Sequence, residues 1–301
     1  MKSFQLPLED IPAADVHIPP HYKWPLVLSS PHSGRAYPTC FIEESRLNHA
    51  TLRRSEDFCV DYLFDFAPEL DLPIIKAEFP RCYVDTNRSA AELDPVLFAD
   101  VSPTSGRNLS RRVANGLGVI PRVVGAGLEI YDDRLSLEDA RDRLARFHAP
   151  YHKQLSELVD AAGAHFSHVL LLDCHSMPDS AASRRIGSGR SSDMVIGDLH
   201  GRACASEIAQ TAVAILSSYG YRVTRNDPYA GGYTTQVHGR PHLGRHCLQL
   251  EINRKLYMDE RRLKLLPNHQ KLKSNLKDFT QKISLLMAQQ QSSDVDAIAA
   301  E

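Results

Sequence analysis

The sequence predicts an α/β fold with a mainly parallel, mixed sheet, because short apolar runs alternate with helical segments along the chain. Two apolar runs, beginning at Pro25 and His168, end in His32 and His175 respectively. A third run contains Glu251 among apolar neighbours. Ligands of open α/β sheets bind at the carboxyl ends of strands. We therefore expect the two histidines to converge on one metal ion at that edge.

The elements follow from periodicity and from turn-forming residues. Residues 1–23 contain four prolines and predict an extended lead-in. Ser55 is a suitable cap for the first predicted helix. Residues 88–130 are predicted to be irregular, because they contain three prolines and a cluster of four glycines between 116 and 127, and long irregular regions are often functional. The elements predicted for this half are strand 24–31, helix 56–67, strand 72–78 and strand 81–86.

The clearest helix is predicted at about 137–162, because Ser136 precedes an acidic first turn and apolar residues recur at helical spacing. Its C-terminal neighbours continue the alternation of strands and helices. They are predicted as strand 167–174, loop 176–192, strand 193–198, helix 203–219, strand 221–225, loop 227–233, strand 246–252, helix 258–289 and a disordered tail at 290–301.

The composition and the net charge limit the classes of protein to which this chain can belong. With 301 residues, 43% of them hydrophobic and 24% charged, the chain suits a globular protein. A net charge of −2 gives no bulk attraction to nucleic acid or to anionic membranes. No apolar run approaches the ~18 residues of a transmembrane helix, and the first residues do not resemble a signal peptide. Six scattered cysteines without a C-x-x-C pair predict free thiols in a reducing cytoplasm.

The metal hypothesis has an ordinary alternative, since a histidine at a strand end is often only a hydrogen-bonded structural residue. The equivalent positions of His32 and His175, each followed by a serine, favour ligation. Catalytic zinc takes three protein ligands and keeps one position open. Glu56 or Asp57 could be the third, although acids in the first turn of a helix also complement its dipole.

Glu251 and the segment from Arg81 to Arg88 are further candidates. A carboxylate in an apolar strand is costly to bury unless it is paired or functional, so Glu251 is either a general base or half of a buried ion pair. Asn87 and Arg88 offer amide and guanidinium donors for a substrate carboxylate, with a surface salt bridge as the alternative.

Other catalytic arrangements are excluded or disfavoured. Cys174 and His175 are neighbours in a strand and point to opposite faces, so they cannot form a catalytic dyad. There is no G-x-S-x-G, H-E-x-x-H or P-loop motif. His148 and His152 are four residues apart on a predicted helix, where packing is a simpler explanation than metal binding.

Five motifs together resemble the N-formylglutamate amidohydrolase family, and the resemblance covers about residues 24–262. Their order and content are more specific than any one of them, and the Gly231-Gly232-Tyr233 loop and the run 256–260 also fit. The motifs are Pro31-His32-Ser33-Gly34, Glu56-Asp57, Arg81 with Asp85-Thr86-Asn87-Arg88, Asp173-Cys174-His175-Ser176 and Leu250-Glu251-Ile252-Asn253.

This resemblance implies a three-layer α/β/α sandwich around a mixed sheet, of the phosphorylase/hydrolase-like (zinc exopeptidase-like) class, related in fold to zinc carboxypeptidases and aspartoacylase. Those relatives bind zinc through His-x-x-Glu and a distant His. Here Arg35 replaces the Glu, so the carboxylate ligand is expected to be Asp57, with Glu56 as the alternative.

The resemblance also implies the roles of the site residues. One divalent ion, which on this likeness is zinc, is held by His32, Asp57 and His175. Glu251 is the general base, and Arg81 polarises the scissile carbonyl. Asn87 and Arg88 hold a substrate carboxylate.

The implied reaction is hydrolysis of N-formyl-L-glutamate to formate and L-glutamate, in histidine catabolism. We expect an extended lead-in at 1–23, one catalytic domain at 24–289 and a tail at 290–301. Two alternatives stay open: a metalloamidase or carboxypeptidase for another N-acyl amino acid or peptide, and a non-catalytic carboxylate-binding protein. Iron, cobalt and manganese also suit such ligands, and the oligomeric state does not follow from the sequence.

Overall fold

The computed structural model describes residues 3–102, 110–125, 127–182 and 191–299, the last eight of them through their backbone alone. The fold is mixed α/β, as predicted, with a seven-stranded sheet in the order β10-β9-β11-β8-β3-β5-β2. The strands are β1 (Phe4–Leu6), β2 (Ala14–His17), β3 (Leu26–Ser30), β4 (Ala36–Pro38), β5 (Ile74–Ala77), β6 (Val123–Val124), β7 (Leu128–Glu129), β8 (Val169–Met177), β9 (Met194–Gly197), β10 (Val223–Arg225), β11 (Arg245–Asn253), β12 (Met258–Asp259) and β13 (Lys264–Leu265).

Ten α-helices lie within the described residues, together with short 3₁₀ turns. The helices are α1 (Thr39–Glu44), α2 (His49–Leu52), α3 (Val60–Leu63), α4 (Arg111–Ala114), α5 (Leu137–Arg143), α6 (Ala149–Gly163), α7 (Asp179–Ala182), α8 (Ser206–Ser218), α9 (Tyr233–His238) and α10 (His269–Ala299). A π-helical turn, Leu144–His148, joins α5 to α6. None of the helices in these described ranges is long and apolar enough to cross a membrane.

The chain forms two compact units. Unit 1 comprises Met1–Asp15, Pro31–Asp57 and Lys76–Gln154, and unit 2 comprises Val16–Ser30, Phe58–Ile75 and Leu155–Glu301. The predicted division into lead-in, single catalytic domain and tail stays a prediction.

The core of unit 2 lies on one face of the central strands. Strands β3, β8 and β11 pair in parallel, and β9 runs antiparallel to β11, so the sheet is mixed. Alternation along each strand sends every second side chain to the same face. That face packs against α3, α8 and α10. The contributions of β3, β8 and β11 to this face are Leu26, Leu28, Leu170, Leu172, Cys174, Leu248, Leu250 and Ile252.

The core of unit 1 is aromatic. The rings of Phe79 and Phe147 lie 4.6 Å apart, and those of Phe41 and Tyr83 lie 5.1 Å apart. Arg143 is buried with its guanidinium 4.2 Å from the centre of the Tyr83 ring. The charge is accommodated without exposure because the guanidinium lies over this ring face, donates to the Tyr131 hydroxyl at 2.7 Å and pairs with Asp139 at 2.9 Å.

Several elements differ from their predictions. The helix predicted at 56–67 is reduced to α3, because Cys59 adopts a left-handed φ of 59° directly before it, and Ser55 donates its hydroxyl to the Leu52 carbonyl instead of capping. The lead-in contains β1 and β2. The helix predicted at 258–289 is displaced to α10, because β12 and β13 form a hairpin first.

Helix α10 also extends over most of the predicted tail, where the sequence lacks the proline and glycine that would end it. The predicted loops 88–130 and 176–192 lie partly outside the described residues. All six cysteines are thiols, as predicted.

Candidate active site

One face of strands β8 and β11 is polar, in contrast to the apolar core face behind it. The two strands pair Asp173 with Gln249 and His175 with Glu251. Paired residues of neighbouring strands project from the same face, so all four polar side chains lie together. All four are buried. A buried polar group is costly unless it is satisfied, so this face is the natural place for chemistry in unit 2.

His175 is held by a carboxylate of its own strand. Its Nε2 donates to Asp173 Oδ2 at 2.9 Å, and Asp173 Oδ1 accepts the hydroxyl of Ser29 at 3.0 Å. Because a carboxylate only accepts, the His175 tautomer carries its proton on Nε2, which leaves the lone pair on Nδ1. Ligating histidines in metal sites are oriented in this way.

His32 has the same arrangement in unit 1. Its Nε2 donates to Asp85 Oδ1 at 2.8 Å, and its Nδ1 lies 3.4 Å from Asp57 Oδ2. The Asp57 backbone N–H also donates to the His32 carbonyl at 3.0 Å, which ties the two residues together. His32 therefore directs its lone-pair nitrogen to the side of the Asp57 carboxylate.

His32 and Asp57 in unit 1 and His175 in unit 2 each offer one potential ligand atom for a metal ion, and all three residues are buried. Two imidazoles and a carboxylate are a suitable donor set for zinc. Asp85 and Asp173 behind the two histidines complete the carboxylate–histidine pairs that accompany such ligands.

Glu56 is engaged elsewhere, although the sequence leaves it as an alternative ligand. Its carboxylate accepts from the Tyr37 hydroxyl at 2.9 Å and from Arg53 Nε at 2.9 Å. Burial raises the pKa of Glu56, against the lowering by Arg53 and Tyr37. These contacts favour Asp57 over Glu56 as the ligand.

Asp85 connects several candidate residues of unit 1. Besides His32, its carboxylate accepts from Arg81 Nη2 at 2.8 Å and from the Asn87 backbone N–H at 2.9 Å. Burial raises the pKa of Asp85, but the charges of Arg81, His32 and Arg88 lower it more, so it lies well below its usual range. In the sequence, Asp85 stands only as part of a motif. The signal that could have found it is its position directly after the run Cys82-Tyr83-Val84, although polar residues follow it.

The same hydrogen bonds explain why 81–86 is not the strand that the sequence predicts. The Asp85 side chain turns back onto Arg81 and onto the Asn87 amide, and the chain there forms turns. Aspartate commonly competes with ladder pairing in this way.

Arg81 and Arg88 occupy different surroundings. The Arg81 side chain is 23% exposed, and its Nη1 lies 3.5 Å from Asp57 Oδ1. Arg88 is buried and donates from Nη1 to the Asn87 carbonyl at 2.7 Å and from Nε to the Leu117 carbonyl at 3.2 Å. Its nearest carboxylate oxygen, on Asp85, is 3.9 Å from Nη2. Burial lowers the pKa of Arg88, and a bound anion would offset that desolvation.

Glu251 lies beside His175 in the register of β8 and β11 and accepts the Gln249 amide at 2.9 Å. That bond fixes one carboxylate oxygen on the polar face.

The sequence and the structure of this chain are both similar to those of known proteins. The sequence profile of the N-formylglutamate amidohydrolase family matches residues 24–258. The crystal structure of N-formylglutamate amidohydrolase from Ralstonia eutropha JMP134 is similar with a TM-score of 0.85 and 34% identity, over 92% of this chain and 98% of that one. A gene product of Agrobacterium tumefaciens, 18% identical with a TM-score of 0.58 over 90% of this chain and 96% of that one, shares the fold.

Two proteins named N-formylglutamate deformylase are also similar in sequence. The protein from Pseudomonas aeruginosa is 28% identical over 239 residues, which are 78% of this chain and 83% of that one. The protein from Pseudomonas putida is 26% identical over 239 residues, 78% of this chain and 82% of that one.

Proposed function

The chain belongs to the N-formylglutamate amidohydrolase family, and from that membership we propose that it hydrolyses N-formyl-L-glutamate to formate and L-glutamate. The observation that supports the chemistry is the buried His32–Asp57–His175 group together with Glu251, which is paired with His175 in adjacent strands. The names of the relatives support this choice of substrate. With that substrate the protein would act in histidine catabolism.

We assign His32, Asp57 and His175 as ligands of one divalent ion, with zinc as the best match to their chemistry. When bound, such an ion supplies a Lewis acid for the formyl carbonyl and lowers the pKa of water. Asp85 and Asp173 keep the two imidazoles in the tautomer that ligation needs.

Glu251 moves the proton. Its carboxylate takes a proton from the attacking water as the oxygen bonds to the formyl carbon, and then gives that proton to the nitrogen of glutamate as the C–N bond breaks. The products are formate and the free amine. The Gln249 amide holds the Glu251 carboxylate in one orientation during both transfers.

Arg81 and Arg88 bind the negatively charged groups of the reaction, which are the developing oxyanion and a substrate carboxylate. The partly exposed Arg81 guanidinium donates to the carbonyl oxygen as charge develops on it, while Asp85 fixes the orientation of the guanidinium. Arg88 and Asn87 hold a carboxylate of the substrate, and a planar guanidinium suits a bidentate contact.

A panel of substrates tests the proposed function. We expect the purified protein to release formate from N-formyl-L-glutamate with a kcat/KM well above that for N-acetyl-L-glutamate, N-formyl amino acids with neutral side chains, or peptides. Faster cleavage of a peptide or of another N-acyl amino acid would assign the other amidase activity. No turnover of any of them by metal-loaded protein would favour a binding protein.

Removal of Arg88 tests the carboxylate contact. Wild type should prefer N-formyl-L-glutamate to its α-amide or its γ-amide, and Arg88→Ala should abolish the larger of these preferences. Arg88→Lys should raise KM about ten- to a hundredfold, since a lost charge-assisted hydrogen bond costs roughly 1.5–3 kcal/mol and a point charge lacks the guanidinium fork.

Arg122→Ala is the matched control. Arg122 also lies in unit 1 and pairs with carboxylates, namely Asp94 and Glu129, so its removal should leave the acid-to-amide ratio unchanged. An equal ratio in Arg88→Ala and wild type would return Arg88 to a structural role.

A further inference from the structure

Two histidines of unit 1 contact the segment Thr86–Arg88 from a neighbouring helix. His152 Nε2 lies 2.8 Å from the Thr86 carbonyl, and His148 Nε2 lies 2.8 Å from the Arg88 carbonyl. A carbonyl oxygen only accepts, so each ring donates from Nε2–H. The two contacts enclose Asn87, the residue between them.

From these contacts we propose that His148 and His152 are positioning residues, which fix the backbone of Thr86–Arg88 so that Asn87 and Arg88 bind the substrate carboxylate. The inference rests on the proposed function and deepens it. Neither histidine acts on the substrate itself, and both act through the segment that they hold.

All three carbonyls of this segment are occupied. His152 donates to the Thr86 carbonyl, Arg88 Nη1 donates to the Asn87 carbonyl at 2.7 Å, and His148 donates to the Arg88 carbonyl. The Asn87 amide donates to Asp85. The three residues of the segment are buried, where a polar group that loses its partner carries the full cost of desolvation. The hydrogen bonds therefore hold the backbone of this segment in one conformation. Loss of either imidazole would leave one carbonyl without its donor and allow the backbone to move.

The helical segment that carries His148 and His152 places both rings against Thr86–Arg88. His148 is the last residue of the π-helical turn Leu144–His148, and His152 follows in α6. Residues four apart lie on the same side of a helix, and the two ring centres are 4.5 Å apart. Single π turns occur frequently at functional sites. The preceding Phe147 anchors the turn in the aromatic core.

The experiment compares kcat/KM for N-formyl-L-glutamate with that for the monoamide that wild type discriminates against more strongly. We expect His148→Leu and His152→Leu each to lower this acid-to-amide ratio about two- to tenfold, the usual worth of one hydrogen bond, mainly through KM for the acid. His148→Gln and His152→Gln keep an N–H donor and should recover most of the ratio. Where a Leu variant does not fold, the matching Asn variant, too short to reach the carbonyl, replaces it.

Two further variants separate positioning from general destabilisation. In an Arg88→Ala background, the Leu substitutions should not change the ratio further, because residues that act as a unit are not additive. His246→Leu removes a buried histidine of unit 2 that accepts the Ala205 amide, and it should lower the melting temperature without changing the ratio.

The outcomes distinguish this inference from the proposed function. A wild-type protein without any acid preference would contradict the proposed function. If Arg88→Ala removes the preference but His148→Leu and His152→Leu lower activity toward acid and amide by the same factor, the histidines are only structural and the inference is overturned.

Discussion

Glu251→Gln should lower kcat for N-formyl-L-glutamate by about 10²–10⁴, the usual contribution of general acid–base catalysis. The substitution nearly preserves size, but an amide cannot accept the proton from water. Its metal content and its binding of substrate should stay close to those of wild type. Steady-state kinetics, elemental analysis and substrate binding by calorimetry measure the three quantities.

Glu56→Gln is the matched control for that experiment. Glu56 is also a buried glutamate, but its carboxylate is bound to Tyr37 and Arg53 and lies outside the candidate ligand group. This variant should lose stability and retain both metal and kcat. Near-normal turnover of Glu251→Gln would leave Glu251 as a structural partner of Gln249, and metal loss in Glu56→Gln would restore Glu56 as a ligand.

His32→Ala and His175→Ala should each lose the bound metal and, with it, hydrolysis. Purified wild type is expected to contain close to one divalent ion per chain. Replacing an outer partner costs metal affinity roughly 10–100-fold, so Asp85→Asn and Asp173→Asn should weaken binding by about that factor, and removal of a ligand should cost more.

Metal content by elemental analysis, followed by titration with zinc and recovery of activity, measures this effect. His246→Leu again provides a buried histidine away from the candidate ligands. Full metal content in both His32→Ala and His175→Ala would place the metal site elsewhere in the chain.

The parts of the site that the sequence predicts are those set by local alternation. His175 and Glu251 lie in long apolar strands, where a period of two determines the face of each side chain. Both predicted strands are present, although β8 continues to Met177, three residues beyond its predicted end. Asp173 could have been found by the same rule, because it lies two residues before His175 on the same face. Its hydrogen bond to the ring needs only that spacing.

The contacts that the sequence could not supply join residues far apart in the chain. His32 and Asp85 are 53 residues apart, and no periodicity relates them. The choice between Glu56 and Asp57 depends on Tyr37 and Arg53, which both bind the Glu56 carboxylate. The sequence favours packing roles for His148 and His152. It does not reveal their contacts, since main-chain carbonyl acceptors leave no trace in residue identity.

The side-by-side placement of His175 and Glu251 limits where this chain can gain or lose residues. The strands β8 and β11 pair over nine consecutive positions. One residue inserted before His175 or Glu251 within either strand would exchange its two faces, turning polar groups into the core and Cys174 or Leu250 toward the site. Insertions and deletions are therefore tolerable in the connections but not in these strands. For protein engineering, the two strands are a unit to be transplanted whole, while new substrate specificity is best sought in the loops around them.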